Sequence, residues 1–195
     1  MTAVEPSVTA AERRLAELDA SFEDFCRNNI VAVERFLRSL CGDRELVQEA
    51  VQETFITARD KWEEISGYEK PLAWVYKTAR YKLMNEQARQ RREATAPLDE
   101  VPADRLVAPP ADSREAQEWL LGCLRRLPER QAAVFALALE GWTDPEIARI
   151  LGLADNTVRS YKAAVRRRLK RFAEEAGFDP SADDERAHAG SAQGR

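Results

Sequence analysis

The chain has 195 residues, and its 30 Lys+Arg against 34 Asp+Glu leave a formal net charge of −4. That length holds one large domain or two small ones of roughly 70–90 residues each. A composition of 44% hydrophobic and 33% charged residues suits a soluble folded protein, and the longest apolar run, Ala132–Leu139, falls well short of the ~18–20 residues of a membrane span. No membrane insertion is expected, and the opening MTAVEPSVTAAERR has no apolar stretch that could serve as a secretion signal, so a cytoplasmic location is expected. Cys26, Cys41 and Cys123 are odd in number and never in a C-x-x-C pair, which argues against a disulfide framework or a cysteine zinc site. Each lies on or at the end of an apolar helical stripe, the place of a buried structural thiol. The single histidine, His188, sits in a Gly/Ala/Ser/Asp tail, so metal-histidine chemistry and a Ser-His-Asp triad lack their parts. No enzyme, no metal and no cofactor are expected.

Residues 1–20 form an Ala/Glu/Arg-rich extension with few core candidates, read as a frayed helix. Phe22, Phe25, Ile30, Val33, Phe36, Leu37 and Leu40 then recur at helical spacing. Gly42 ends that stretch and Asp43 suits the N-cap of the next helix, through Leu46, Val47, Ala50, Val51 and Phe55. A turn at Ser66-Gly67 and Pro71 leads into a helix over about 72–91. On a wheel, Leu72, Val75, Tyr76, Ala79 and Leu83 make its core stripe, with Trp74, Lys77, Arg80, Tyr81, Met84 and Asn85 roughly opposite. Rings interleaved with cations and an amide suit unstacked bases, because rings stack on bases while cations hold phosphate. Packing of Trp74 or Tyr81 on a neighbouring helix is the competing reading.

Residues 93–112 hold Pro97, Pro102, Pro109 and Pro110 among Ala and acidic residues, a flexible linker by composition. No sustained period-2 alternation occurs, so the fold expected is all-α, two small helical domains over 21–92 and 113–175. Residues 176–195 read as a disordered tail. In the second domain Thr143 and Glu146 have capping-box spacing, Pro145 suits a first turn, and Gly152 cuts off a short helix over about 145–151. Ala148 is small where two helices must approach, and the apolar face continues through Leu153, Val158, Tyr161, Val165, Leu169 and Phe172. A short capped helix, a glycine turn and a second helix with a matched face make a helix-turn-helix.

On the second of those helices Arg159, Lys162 and Arg166 share a face, with Asn156, Thr157 and Ser160 at its N-terminal end. The N-terminal positions of such a helix reach base edges in the major groove. Arg can bond guanine bidentately and Asn adenine, so Arg159 and Asn156 are the base-reading candidates, and Lys162, Arg166 and Arg167 the phosphate contacts. Solvated basic faces are the plainer alternative.

Read together, these segments resemble the extracytoplasmic-function (group 4) sigma factors of the bacterial sigma-70 family. GDRELVQEAVQETF is similar to that family's polymerase-binding helix, AWVYKTAR to its −10-reading helix, and LPERQAAVFALALEGWTDPEIARILGLADNTVRSYKAAVRRRLKRF to its −35-reading domain. The resemblance implies that residues 21–92 are sigma region 2 and 113–175 sigma region 4, and that Glu49, Gln52 and Glu53 dock on the coiled coil of the largest core-polymerase subunit. It further implies that the loop over about 62–71 and the following helix capture a base flipped from the non-template strand, with Trp74, Lys77, Arg80, Tyr81 and Asn85 facing −10 DNA. Asn156, Thr157, Arg159, Ser160, Lys162 and Arg166 would face the −35 element, the polymerase flap would hold the second domain, and an anti-sigma factor would be a further partner. The sequence departs from the family at Thr57-Ala58-Arg59, where Arg-Ala-Trp is common, and at Tyr161, Ala163 and Ala164, so no promoter consensus is transferred. Two other readings remain open at this level: a conventional regulator that binds duplex DNA alone as a dimer, and a protein-binding adaptor.

Overall fold

A computed structural model describes residues 9–93 and 113–177. Among the described residues every regular element is helical: α1 (Ala10–Leu40), α2 (Arg44–Asp60), α3 (Trp62–Ile65), α4 (Pro71–Glu93), α5 (Ser113–Arg125), α6 (Glu129–Leu139), α7 (Asp144–Leu151) and α8 (Asp155–Glu175). Glu93 of the expected linker ends α4, and Ala176 and Gly177 of the expected tail follow α8; the rest of both, 94–112 and 178–195, lies outside the described residues.

The part of the extension from Ala10 on, read as a frayed helix, is instead the start of a continuous and well-capped α1. Thr9 Oγ1 accepts from the Glu12 backbone N–H at 3.2 Å, and Glu12 accepts from the Thr9 N–H at 2.7 Å, a reciprocal box that satisfies two otherwise orphaned donors. Those hydrogen bonds hold the Glu12 carboxyl below its usual range. Ion pairs tie the extension down, Arg14 to Glu63 at 2.6 Å and Arg59 to Asp19 at 3.2 Å. Beside them Trp62 Nε1 donates to Ser21 Oγ at 2.7 Å, and its ring centroid lies 4.7 Å from that of Phe25 and 5.3 Å from that of Phe22. Trp62 is thus a core residue under α1.

Asp43 caps α2 by accepting from the backbone N–H groups of Glu45 and Leu46 at 3.0 and 3.2 Å. Leu46, Val47, Ala50, Val51, Phe55 and Ala58 bury one face of α2, and Val75, Tyr76, Ala79 and Leu83 bury the stripe of α4. Thr54, also buried, donates to the Ala50 carbonyl at 2.6 Å and leaves no polar atom orphaned. In the carboxyl-terminal region Ile147 and Ala148 of α7 meet Val158 and Val165 of α8 in a shared core with α6.

The two helical regions are not held apart. α1 packs on α5 and α6, α4 packs on α7, and one continuous buried cluster runs through both regions. At the junction Tyr76 is sandwiched edge-on between Phe36 and Trp142, with ring centroids 5.1 and 5.7 Å away. Burial pushes the Tyr76 hydroxyl well above its ordinary pKa, so it stays neutral and adds no charge to an apolar seam.

Candidate nucleic-acid interface

α7 begins where the Glu146 carboxylate accepts from the Thr143 backbone N–H at 2.8 Å and from its hydroxyl at 2.7 Å. It ends at Gly152, whose φ of 64° is left-handed, a conformation that costs a residue with a Cβ far more than glycine. The chain then turns through Leu153 and Ala154 into α8. Val158 and Val165 are fully buried, and Tyr161 and Leu169 pack against the core, so the apolar side of α8 is fixed. That leaves Asn156, Arg159, Ser160, Arg166 and Arg167 exposed on the outer side, with Thr157 half-buried beside them. The Ser160 hydroxyl donates to the Thr157 carbonyl at 2.9 Å. Lys162 differs from its neighbours: its ammonium donates to Asp144 of α7 at 2.6 Å and is mostly covered. In this structure it braces α8 against α7.

α4 carries the second cluster. Lys77, Tyr81, Met84 and Asn85 are exposed. Trp74 is half-buried and packs against the core, as the competing sequence reading had it. Arg80 is engaged rather than free: its Nε and Nη2 donate to the two carboxylate oxygens of Glu129 at 2.6 and 2.9 Å. The loop before α4 is held by the Tyr68 hydroxyl, which donates to Glu64, and by contact with the carboxyl-terminal region, where Lys70 reaches Glu146 and lies 5.8 Å from the Trp142 ring centre.

Glu49, Gln52 and Glu53 are exposed on one side of α2, and Glu53 pairs with Lys82 at 3.3 Å. Gln52 borders a groove of about 510 Å³ between α1 and α2, lined also by Phe22, Ile30, Val51, Phe55 and Ile56. Ile30, read above as core, is 40% exposed and Ile56 is 54% exposed. This apolar groove was missed by periodicity because Phe22, Val51 and Phe55 belong to the core stripes and only partly line it. The available signal was Ile56, a β-branched residue one step out of the α2 stripe.

None of the three cysteines is paired; Cys41 and Cys123 are buried and Cys26 half-buried. Burial raises the Cys26 thiol and pushes Cys123 up to about 11. Among the described residues no cluster of His, Cys, Asp or Glu could hold a metal ion, and no helix is long and apolar enough to cross a membrane.

Residues 25–93 match the family Sigma-70 region 2, and residues 117–169 match Sigma-70, region 4. These two matches in this order define a sigma-70-type initiation factor. The chain is 30% identical over 143 residues to the ECF RNA polymerase sigma factor SigF of Caulobacter vibrioides, covering 71% of this chain and 75% of that one. It is 28% identical over 173 residues to the ECF sigma factor SigM of Mycobacterium tuberculosis, covering 83% and 85% of the two chains. In fold it resembles the sigma factor RpoE solved with the anti-sigma factor NepR from Bartonella quintana, with a TM-score of 0.61 and 21% identity over 79% of this chain and 97% of that one. CnrH, solved with the cytosolic domain of CnrY, gives 0.58 and 19%, over 80% and 89%. The chain therefore belongs to the extracytoplasmic-function group of the sigma-70 family: it directs RNA polymerase to promoters and is not itself an enzyme.

Proposed function

We propose that α7 and α8 form a helix-turn-helix that reads the −35 element, while α4 and the loop before it read and open the −10 element. The observation that carries this reading is the outer face of α8. Asn156, Arg159 and Ser160 stand exposed in its first two turns, beyond a left-handed glycine turn, with Arg166 and Arg167 following. Donors at the start of such a helix meet base edges, and cations further along meet phosphate. On α4, Tyr81 offers a ring for an unstacked base and Lys77 a phosphate contact, with Asn85 one turn on. Unstacking a base costs a few kcal/mol, so a prepared surface opens DNA without ATP.

In this reading residues 21–92 and 113–175 are the two working domains, joined by a linker over 93–112. Glu49, Gln52 and Glu53, of which Gln52 lines the apolar groove of α1 and α2, dock on the coiled coil of the largest polymerase subunit, and the second domain sits on the flap. An anti-sigma factor is a further partner; RpoE, of similar fold, was solved with one, NepR. The test is in vitro transcription with purified protein and core RNA polymerase on fragmented genomic DNA. Protein-dependent starts that share two upstream elements are expected. A folded protein that neither supports starts nor binds core polymerase overturns the reading.

A further inference from the structure

Two lysines of α8 end on carboxylates, and the two pairs differ. Lys170 lies 3.9 Å from Glu174 on its own helix, with both side chains more than half exposed, a pair that water and salt loosen at little cost. Lys162 donates to Asp144 of α7 at 2.6 Å, and these two side chains are only 21% and 25% exposed. Asp144 is not needed to start α7, because Thr143 and Glu146 already form the capping box there. Among the described residues its one ion-pair partner is Lys162. The exposed cations Arg159, Arg166 and Arg167 form no ion pair among those residues.

Lys162 lies about 60° round the helix axis from Arg159 and about 40° from Arg166, between the buried stripe and the outer face. In a helix-turn-helix the first helix crosses the DNA backbone beside the recognition helix, so both members of the pair stand on the phosphate flank of the reading surface. Moving the ammonium to a phosphate would strand the Asp144 carboxylate, three-quarters covered, against a row of anions. That like-charge contact opposes the exchange. We infer that Asp144 limits the sequence-independent part of DNA binding: it holds Lys162 off the backbone while the protein is on DNA. The pair then adds no net charge, and the phosphate contacts of α8 fall to Arg166 and Arg167. The inference rests on the reading of the outer face of α8 as the −35 surface. One cation withheld lowers the slope of log affinity against log salt by about 0.9, which is about five-fold in affinity at 0.15 M salt relative to 1 M. Restoring it would strengthen binding to every sequence alike, and non-promoter DNA far outnumbers promoters in a genome.

The test compares holoenzymes reconstituted with the parent chain, Asp144→Asn, Asp144→Asn/Lys162→Gln and Arg166→Ala. Each is titrated at several salt concentrations with a promoter fragment carrying the −35 element that transcription mapping defines, and with a non-promoter duplex of equal length. Asp144→Asn releases the ammonium, so the salt slope is expected to steepen by about 0.9 and affinity at 0.15 M salt to rise about five-fold, on both duplexes alike. Asp144→Ser, a second neutral side chain suited to a helix start, is expected to reproduce this, which guards against a folding defect peculiar to one variant. The double variant removes the pair without changing net charge and is expected to keep the slope and affinities of the parent. A double variant whose slope falls by about 0.9 overturns the inference, because Lys162 then touches phosphate in the parent. A gain that persists in the double variant overturns it too, because loss of the carboxylate alone then explains it. So does an unchanged slope in both Asp144→Asn and Asp144→Ser while Arg166→Ala lowers the slope. If Arg166→Ala leaves the slope unchanged on both duplexes, the reading of α8 as the −35 surface fails, and the inference falls with it.

Discussion

Replacing Arg159 by Ala is expected to damage promoter recognition at one position of the −35 element and leave the fold untouched. Arg159 is exposed in the second turn of α8, about 100–120° round the helix axis from the buried Val158 and Val165, and among the described residues it forms no ion pair. Its loss leaves no cavity and no stranded charge, so the change in stability should stay within about 0.5 kcal/mol. A bidentate guanine contact discriminates by about 1–3 kcal/mol, so holoenzyme affinity should fall about 5- to 150-fold on the native element. The penalty should shrink to little when the base pair facing Arg159 is already altered. Arg166 lies seven positions further on, about 10.5 Å along the helix axis, and should behave differently. Its replacement by Ala weakens all −35 sequences alike and lowers the slope of log affinity against log salt by about 0.9. The assay is equilibrium binding of reconstituted holoenzyme to promoter fragments with each −35 position varied, repeated at several salt concentrations. Equal losses for Arg159→Ala on every sequence, with the salt slope reduced, would refute base reading by this residue and make it another phosphate contact.

Further consequences can be measured separately. Ile56→Glu places a charge on the rim of the groove between α1 and α2, where the side chain is already 54% exposed. Thermal stability should barely move, while affinity for core polymerase drops about ten-fold or more in a pull-down titration; unchanged affinity removes this groove from the docking surface. Ile147→Ala, at a position with no exposure, should cost about 2–5 kcal/mol in urea unfolding, against about 0.5 kcal/mol or less for the exposed Arg149→Ala. Cys123, fully buried with its thiol pushed up to about 11, should resist iodoacetamide at pH 8 until denaturant is added, as mass spectrometry can read. Its linkage has a definite sign. The native thiol keeps its proton while the unfolded one loses it above about pH 9, so this contribution is present below that pH and lost as pH rises towards 11. Between pH 8 and pH 10 the parent should lose about 1 kcal/mol relative to Cys123→Ala, which lacks the group.

Much of the chain could be read locally because the relevant signals act over a few residues. The cap at Asp43, the glycine stop at 152, the Thr143–Glu146 pairing and the buried stripe Val75, Tyr76, Ala79 and Leu83 are all set within one or two helical turns. The exposed donors of α8 were legible for the same reason: once Val158 and Val165 face inward, 100° per residue assigns Arg159 and Arg166 to the outside. The extension over 10–20 was harder, because it is held by Arg59, 40 positions from Asp19, and Glu63, 49 positions from Arg14.

What the amino-acid order determined on its own was the identity of the helices, the faces they bury and the family they belong to. Only the tertiary structure decided which exposed-looking cations are free. Arg80 and Lys162 carry the same charge as Lys77 and Arg166, and helical spacing treats them alike. Yet Arg80 is taken by Glu129, 49 positions away, and Lys162 by Asp144 on the neighbouring helix. Arg35 and Glu140 meet across 105 positions. Periodicity fixes the direction of a side chain about its own helix axis, whereas the partner it meets depends on how separate helices pack, and no local spacing records that.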